Sequence, residues 1–190
     1  MIAVADSSPL VILAKIGCFH LLNPLFARVY ISAEVHHEVV LAGAGLPGSQ
    51  EVTSADWIET KGLANPAQLQ EAISRYPLGA GELSSILLAE ELSADAVLLD
   101  DHKARTLART KGLPVRGSVG LLEIFHVRGL LPDLRAAFRL LLAHNVYIDT
   151  KAVEPSTTIF TTSSPLISSN PFSNSRTNPF TSTSSPSTPA

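Results

Sequence analysis

The chain has 190 residues, 45% of them hydrophobic, and a formal net charge of −3 at pH 7. That length supports one sizeable core plus a tail, and the near-neutral balance excludes binding to nucleic acid through a global basic field, so any such contact needs a local patch. The single cysteine, Cys18, excludes a disulfide framework and a cysteine-based zinc cluster; it fits a reducing cytoplasm and reads as core.

The opening "MIAVADSSPLVILAKIG" is apolar but has no positive leader, and Asp6 and Pro9 interrupt it, so it reads as a strand followed by a helix instead of a signal peptide. The strand covers 2–5; the helix covers 9–17, with Pro9 in a permitted first-turn position and Gly17 as its stop. No apolar run approaches the ~20 residues that a bilayer crossing needs, so a soluble protein is expected. A second strand covers 28–32. The helix after it, 32–42, opens on a Ser32 cap and sets Val35, Val39 and Ala42 on one face. "GAGLPG" at 43–48 matches a dinucleotide-binding pattern letter for letter, but it follows a helix and contains Pro47, so it reads as a loop.

Next come a strand at 57–60, helices at 66–74 and 80–93, a strand at 96–99, a helix at 102–111 and a last short strand at 113–117. Two helices close the pattern, at 118–128 and 132–143, whose apolar stripes (Leu121, Leu122, Ile124, Phe125; Leu134, Phe138, Leu141, Leu142) read as core. Strands separated by helices predict a small parallel sheet covered on both faces, a three-layer α/β/α sandwich. All seventeen acids, and every Lys and Arg except Arg176, precede Pro155. The Ser/Thr/Pro-rich remainder cannot bury enough apolar surface to offset its conformational entropy, which predicts a folded domain over 1–153 and a disordered tail over 154–190.

In such a sheet the strand C-termini form the rim where ligands bind. Asp6 ends the first strand, and Asp100 and Asp101 end the strand "AVLL". Glu38 lies three residues after Val35 and four before Ala42, and Glu82 stands one turn before Ile86, so both are expected on core-facing stripes. Buried carboxylates are costly unless paired or bound to a metal, and four of them point to a hard cation. Mg²⁺ or Mn²⁺ suits an all-oxygen set and can serve hydrolysis of a phosphodiester. Lys103, Arg105, Arg109, Lys111 and Arg116 form a basic strip next to it, able to hold a phosphate backbone. The bland readings are that Asp6 and one of Asp100 and Asp101 only cap helices, and that Glu38 and Glu82 border an apolar stripe. His36 and His37 face different sides of one helix, and His102 reads as an exposed helix residue.

The segments "VADSSPLVILAKIG", "VHHEVV", "GAGELSSILLAEELSADAVLLDDHKARTLARTKGLPVRGSVGLL" and "VRGLL", in that order, resemble a PIN (PilT N-terminus) domain of the VapC-like branch over about residues 2–150. The resemblance implies a ribonuclease using Mg²⁺ or Mn²⁺, with Asp6, Glu38, Glu82 and Asp101 as catalytic metal ligands, Asp100 assisting, and Ser8 in the place of a small hydroxyl residue near the first acid. It departs from many relatives, which carry Asp where this chain has Glu82. With Ser8, the cations Lys103, Arg105 and Arg109 become candidates for holding RNA. The same resemblance implies the toxin half of a cytoplasmic toxin–antitoxin pair, a homodimer, and a small antitoxin partner. Two rivals stand beside it. One is a catalytically inactive PIN-like module that binds RNA or protein; the other is a receiver-like domain, which would need an acidic pair after the first strand and a Lys at the last.

Overall fold

The computed structural model describes residues 1–144; the expected boundary at 153 and the tail beyond it lie outside the described residues. The elements in chain order are β1 (Ile2–Ala5), α1 (Ser7–Lys15), a 3₁₀ turn (Phe19–Leu22), β2 (Arg28–Ile31), α2 (Ala33–His36) running into a π-helix (His37–Ala42), α3 (Ser49–Ser54), β3 (Ile58–Thr60), α4 (Pro66–Arg75), α5 (Ala80–Glu91), β4 (Ala96–Leu98), α6 (His102–Thr110), β5 (Val115–Arg116), α7 (Ser118–Val127) and α8 (Leu134–Ala143). The five strands are parallel, in the order β3-β2-β1-β4-β5. This is the expected α/β architecture.

Strands covered on both faces must be apolar without alternation. That is why Ala3, Val4 and Ala5 of β1 and Ala96, Val97 and Leu98 of β4 are all apolar and buried, with Ile2 at the start of β1 partly buried. Val4 and Val97 join Ile86, Leu88 and Ala89 of α5 and Ala104 and Ala108 of α6 in one apolar cluster. Helix α5 is enclosed by β1, β4, α2, α4 and α6, while α1 packs with α3 and α7, and α8 rests on α7. The chain builds outward from β1 through β2 to β3, then crosses back to lay β4 on the other side of β1. The strand order reverses between β1 and β4, and the crevice beyond their C-terminal ends is where such sheets take ligands.

Three local expectations change. Helix α1 starts at Ser7, with Asp6 as its cap. The helix expected over 32–42 keeps its Ser32 cap, whose hydroxyl accepts the Val35 amide at 3.1 Å, but its second half is π-helical. The wider turn breaks the 3.6-residue stripe: Val35 and Val39 are buried, whereas Glu38 and Ala42 are exposed. A Cβ on Gly43 would stand 2.6 Å from the Val39 carbonyl oxygen and 2.9 Å from that of Glu38, so the end of the π turn admits only glycine. In the last helix, three consecutive leucines cannot face one side. Leu141 is fully buried, while Leu142 is 63% exposed, outside the core to which the sequence assigned it. The 3₁₀ turn and α3 have no counterpart in the sequence reading. Cys18 is core as expected, and Trp57 meets the Phe19 ring at 5.3 Å between centroids.

This burial pattern is checked by urea unfolding. Leu88→Ala, at a fully buried site, is expected to lower stability by ~3 kcal/mol, and Leu142→Ala by no more than ~0.5 kcal/mol.

Candidate metal centre at the sheet switch point

Asp6 is fixed by backbone before its side chain does anything. Its amide donates to the Leu98 carbonyl at 3.0 Å, extending the β1–β4 ladder one residue past β1. The residue is only 2% exposed. Its two carboxylate oxygens have separate duties: Oδ2 accepts the Ser8 amide at 3.4 Å and caps α1, while Oδ1 faces α5. Ser7 Oγ donates to Glu38 Oε2 at 2.8 Å and stands 3.5 Å from Asp6 Oδ1, so one hydroxyl joins both acids. The position that a Cβ on Gly81 would occupy lies 2.9 and 3.0 Å from the two Glu38 oxygens and 3.2 Å from Asp6 Oδ1. Two carboxylates thus meet over a glycine in the first turn of α5.

Two adjacent serines dock that helix. Ser84 Oγ lies 2.7 Å from Ser32 Oγ, the cap of α2, and donates to the Gly81 carbonyl at 2.9 Å; Ser85 Oγ donates to the Ala5 carbonyl at 3.5 Å. Both serines are buried and satisfied. Through them α5, the start of α2 and the end of β1 hold a fixed spacing, which sets the Gly81 backbone against Asp6 and Glu38.

Burial pushes the Asp6 carboxyl up from 3.8 to about 7, against the lowering effect of the Ser7 and Ser8 amides; the charges of Glu82 and Glu38 push it further up. Among the described residues no arginine or lysine forms an ion pair with it.

The remaining acids are engaged elsewhere. Glu82 is half-buried and turns back to accept the Gly79 amide at 2.5 Å, capping a helix whose N-cap residue has no side chain. Asp101 is exposed and caps α6 by accepting the Ala104 amide at 2.8 Å. Asp100 accepts both the amide and the hydroxyl of Ser118, at 2.8 and 2.6 Å, and so caps α7 from outside. Burial raises the Asp100 carboxyl, while Ser118 and the Arg105 charge lower it. Among the described residues no three His, Cys, Asp or Glu side chains form a metal-holding group. The expectation of four convergent acids is therefore corrected. Asp6 and Glu38 come together, and Glu82 is near enough to act on Asp6 by charge. Asp101, the fourth, and its neighbour Asp100 serve helix ends, because each helix that leaves the rim begins with unsatisfied N–H groups and the strand-end acids are close acceptors.

The basic strip is likewise divided. Arg105, expected to hold substrate, is 8% exposed; its guanidinium donates to the Asp100 carbonyl, and its Nε has no hydrogen-bond partner among the described residues. Lys111 pairs with Glu90 at 2.7 Å. Arg116 is half-buried and donates to its own strand's Val115 carbonyl, and burial lowers its pKa. Lys103, Arg109 and His102 are exposed. Ser8 is exposed and contributes its amide; the hydroxyl that touches the acids belongs to Ser7. Ser7, Gly81, Ser84, Ser85 and Ser118 were not singled out from the sequence. The available signal was a hydroxyl residue directly after a strand-end acid, and a serine pair inside an otherwise apolar helix.

The pair fits a hard cation. Mg²⁺ is commonly held by one or two carboxylates and keeps several waters; Asp6 and Glu38 supply such oxygens on either side of the missing Gly81 side chain, and neither acid has an arginine or lysine ion pair among the described residues.

Asp6 also sets a pH dependence for the metal-free protein. Its folded pKa of about 7 exceeds the ordinary 3.8, so the folded state binds the extra proton between these values and stability falls as pH rises through that window. The full loss, on the order of 4 kcal/mol, is reached above pH 7. Urea unfolding in the presence of EDTA is expected to give a lower midpoint at pH 8 than at pH 5.5 for this protein. Asp6→Asn, which keeps a capping side chain, should flatten the difference and be the more stable variant at pH 8; an Asp6→Asn protein less stable than wild type at that pH contradicts the assignment.

The chain matches no curated protein. A family model described as a PIN domain matches residues 2–159, spanning all five strands and the Asp6–Glu38 pair at their rim. The chain belongs to the PIN domain family.

Proposed function

We propose that this chain is a metal-dependent endoribonuclease of the VapC-like branch, the toxin component of a toxin–antitoxin system. PIN domains are generally metal-dependent nucleases and generally use divalent ions. The single observation that carries the reading is the pairing of a buried Asp6 with Glu38 over Gly81, where burial and neighbouring acids disfavour the ionised Asp6 carboxylate.

Asp6 and Glu38 would hold Mg²⁺ or Mn²⁺. The bound ion supplies charge neutralisation on a phosphodiester and an activated water. The protein's own contribution is positional. The β1–β4 ladder immobilises Asp6, the Ser7 hydroxyl fixes Glu38 Oε2, and the Ser84 and Ser85 bonds hold α5 at its distance. Glu82, in the first turn of the same helix, adds negative charge from its capping position. Asp101 and Asp100 fix the starts of α6 and α7, the helices that follow β4 and β5. Lys103 and Arg109, exposed on α6, are the candidates for attracting the phosphate backbone. A homodimer and a small antitoxin with a segment that fills the crevice complete the proposal on the strength of the family resemblance, as does a cytoplasmic location. No helix among the described residues is long and apolar enough to cross a membrane.

One observation favours a second reading, a catalytically inactive PIN-like module that binds RNA or protein. Among the described residues no third acid joins the pair. Mn²⁺ titration separates the two readings, because an inactive module has no saturable site at the acids. Under the enzyme reading, purified protein cleaves single-stranded RNA only with Mg²⁺ or Mn²⁺. Asp6→Asn and Glu38→Gln should each lower the rate by about 100-fold or more, while Lys103→Ala should mainly weaken RNA binding and lessen its salt dependence. Undiminished, metal-stimulated cleavage by Asp6→Asn would refute the assignment.

A further inference from the structure

Gly81 is a helical residue in the first turn of α5, where glycine is among the least favourable choices. Its φ does not lie in the left-handed region, so its backbone does not call for glycine. What calls for it is space: a Cβ would stand at 2.9 and 3.0 Å from Glu38 Oε2 and Oε1 and 3.2 Å from Asp6 Oδ1, all inside ordinary carbon–oxygen contact.

The two acids differ in how they can respond to a methyl group. Asp6 is buried and held by the Leu98 ladder bond and the Ser8 amide. Glu38 sits on an exposed position of the π turn, and its carboxylate is the far end of a flexible side chain tied, among the described residues, by the Ser7 bond. The methyl would therefore drive Glu38 away and leave Asp6 in place. Resting on the metal-site reading above, we infer that Gly81 is a positioning residue: the missing side chain keeps Asp6 and Glu38 oxygens close enough to share one divalent ion, at the expense of helix stability.

The experiment is Gly81→Ala in the full chain, probed with Mn²⁺ alone and with thermal unfolding in EDTA. Mn²⁺ binding is expected to weaken by about tenfold or more, while the metal-free Tm stays level or rises by about 2 °C, since alanine is the better helix former. A control reads the contact without any ion. In a Glu38→Ala background the methyl meets less, so Gly81→Ala should raise Tm by more than it does with Glu38 present. Unchanged Mn²⁺ affinity in Gly81→Ala overturns the inference. So does a metal-free Tm that falls by several degrees, because the methyl was then not accommodated by Glu38. Should the wild-type chain show no saturable Mn²⁺ site, the nuclease reading fails, and the Tm comparison between the two backgrounds decides the Gly81–Glu38 contact by itself.

Discussion

The structure turns on one carboxylate kept out of water. Asp6 follows the innermost strand of the sheet, at the point where the strand order reverses, and the ladder bond to Leu98 gives it no freedom to leave. An ionised group in such a place is unfavourable by itself. The chain answers with the Ser8 amide, which holds one oxygen, and leaves the other facing Glu38, a second negative charge, with no arginine or lysine ion pair to Asp6 among the described residues. That arrangement disfavours the ionised Asp6 carboxylate, whose pKa burial and the charges of Glu82 and Glu38 push up to about 7.

Around this point the same residue types serve two competing needs. Every helix that leaves the rim exposes N–H groups that want an acceptor, and every strand that arrives there ends close to them. Asp6, Glu82, Asp100 and Asp101 all accept amides at helix starts, for α1, α5, α7 and α6 respectively. Asp6 has its second oxygen close to the Glu38 carboxylate over Gly81. Capping therefore does not use up the Asp6 carboxylate: the cap aligns one oxygen, and the other is left to face Glu38.

Small residues do much of the positioning. Ser7 links the acids, Ser84 and Ser85 fasten α5 to α2 and β1, Ser118 holds Asp100, and Gly81 leaves room for the Glu38 and Asp6 oxygens. Each does so through at least one contact with a distant part of the chain. The π turn has the same character. By widening the helix after Val35 it moves Glu38 off the core stripe and out to the rim, where its carboxylate can reach Ser7.

The sequence by itself determined the α/β class, the parallel sheet, nearly every element, the buried strands β1 and β4, and Asp6 as a strand-end acid. These follow from local periodicity and from apolar runs that only a doubly covered sheet can use. It also carried the ordered motifs that mark a PIN domain. Tertiary structure alone decided which acids meet. The sequence placed Glu38 on a 3.6-residue stripe that a π turn then broke; it could not show that Asp101 would satisfy its own helix, that Arg105 would fold inward onto the Asp100 carbonyl, or that a glycine in α5 would lie under two carboxylates from elsewhere. Hydrogen-bond competition at helix ends and close approach between distant segments depend on where backbones come to rest, and no spacing along a single chain encodes that directly.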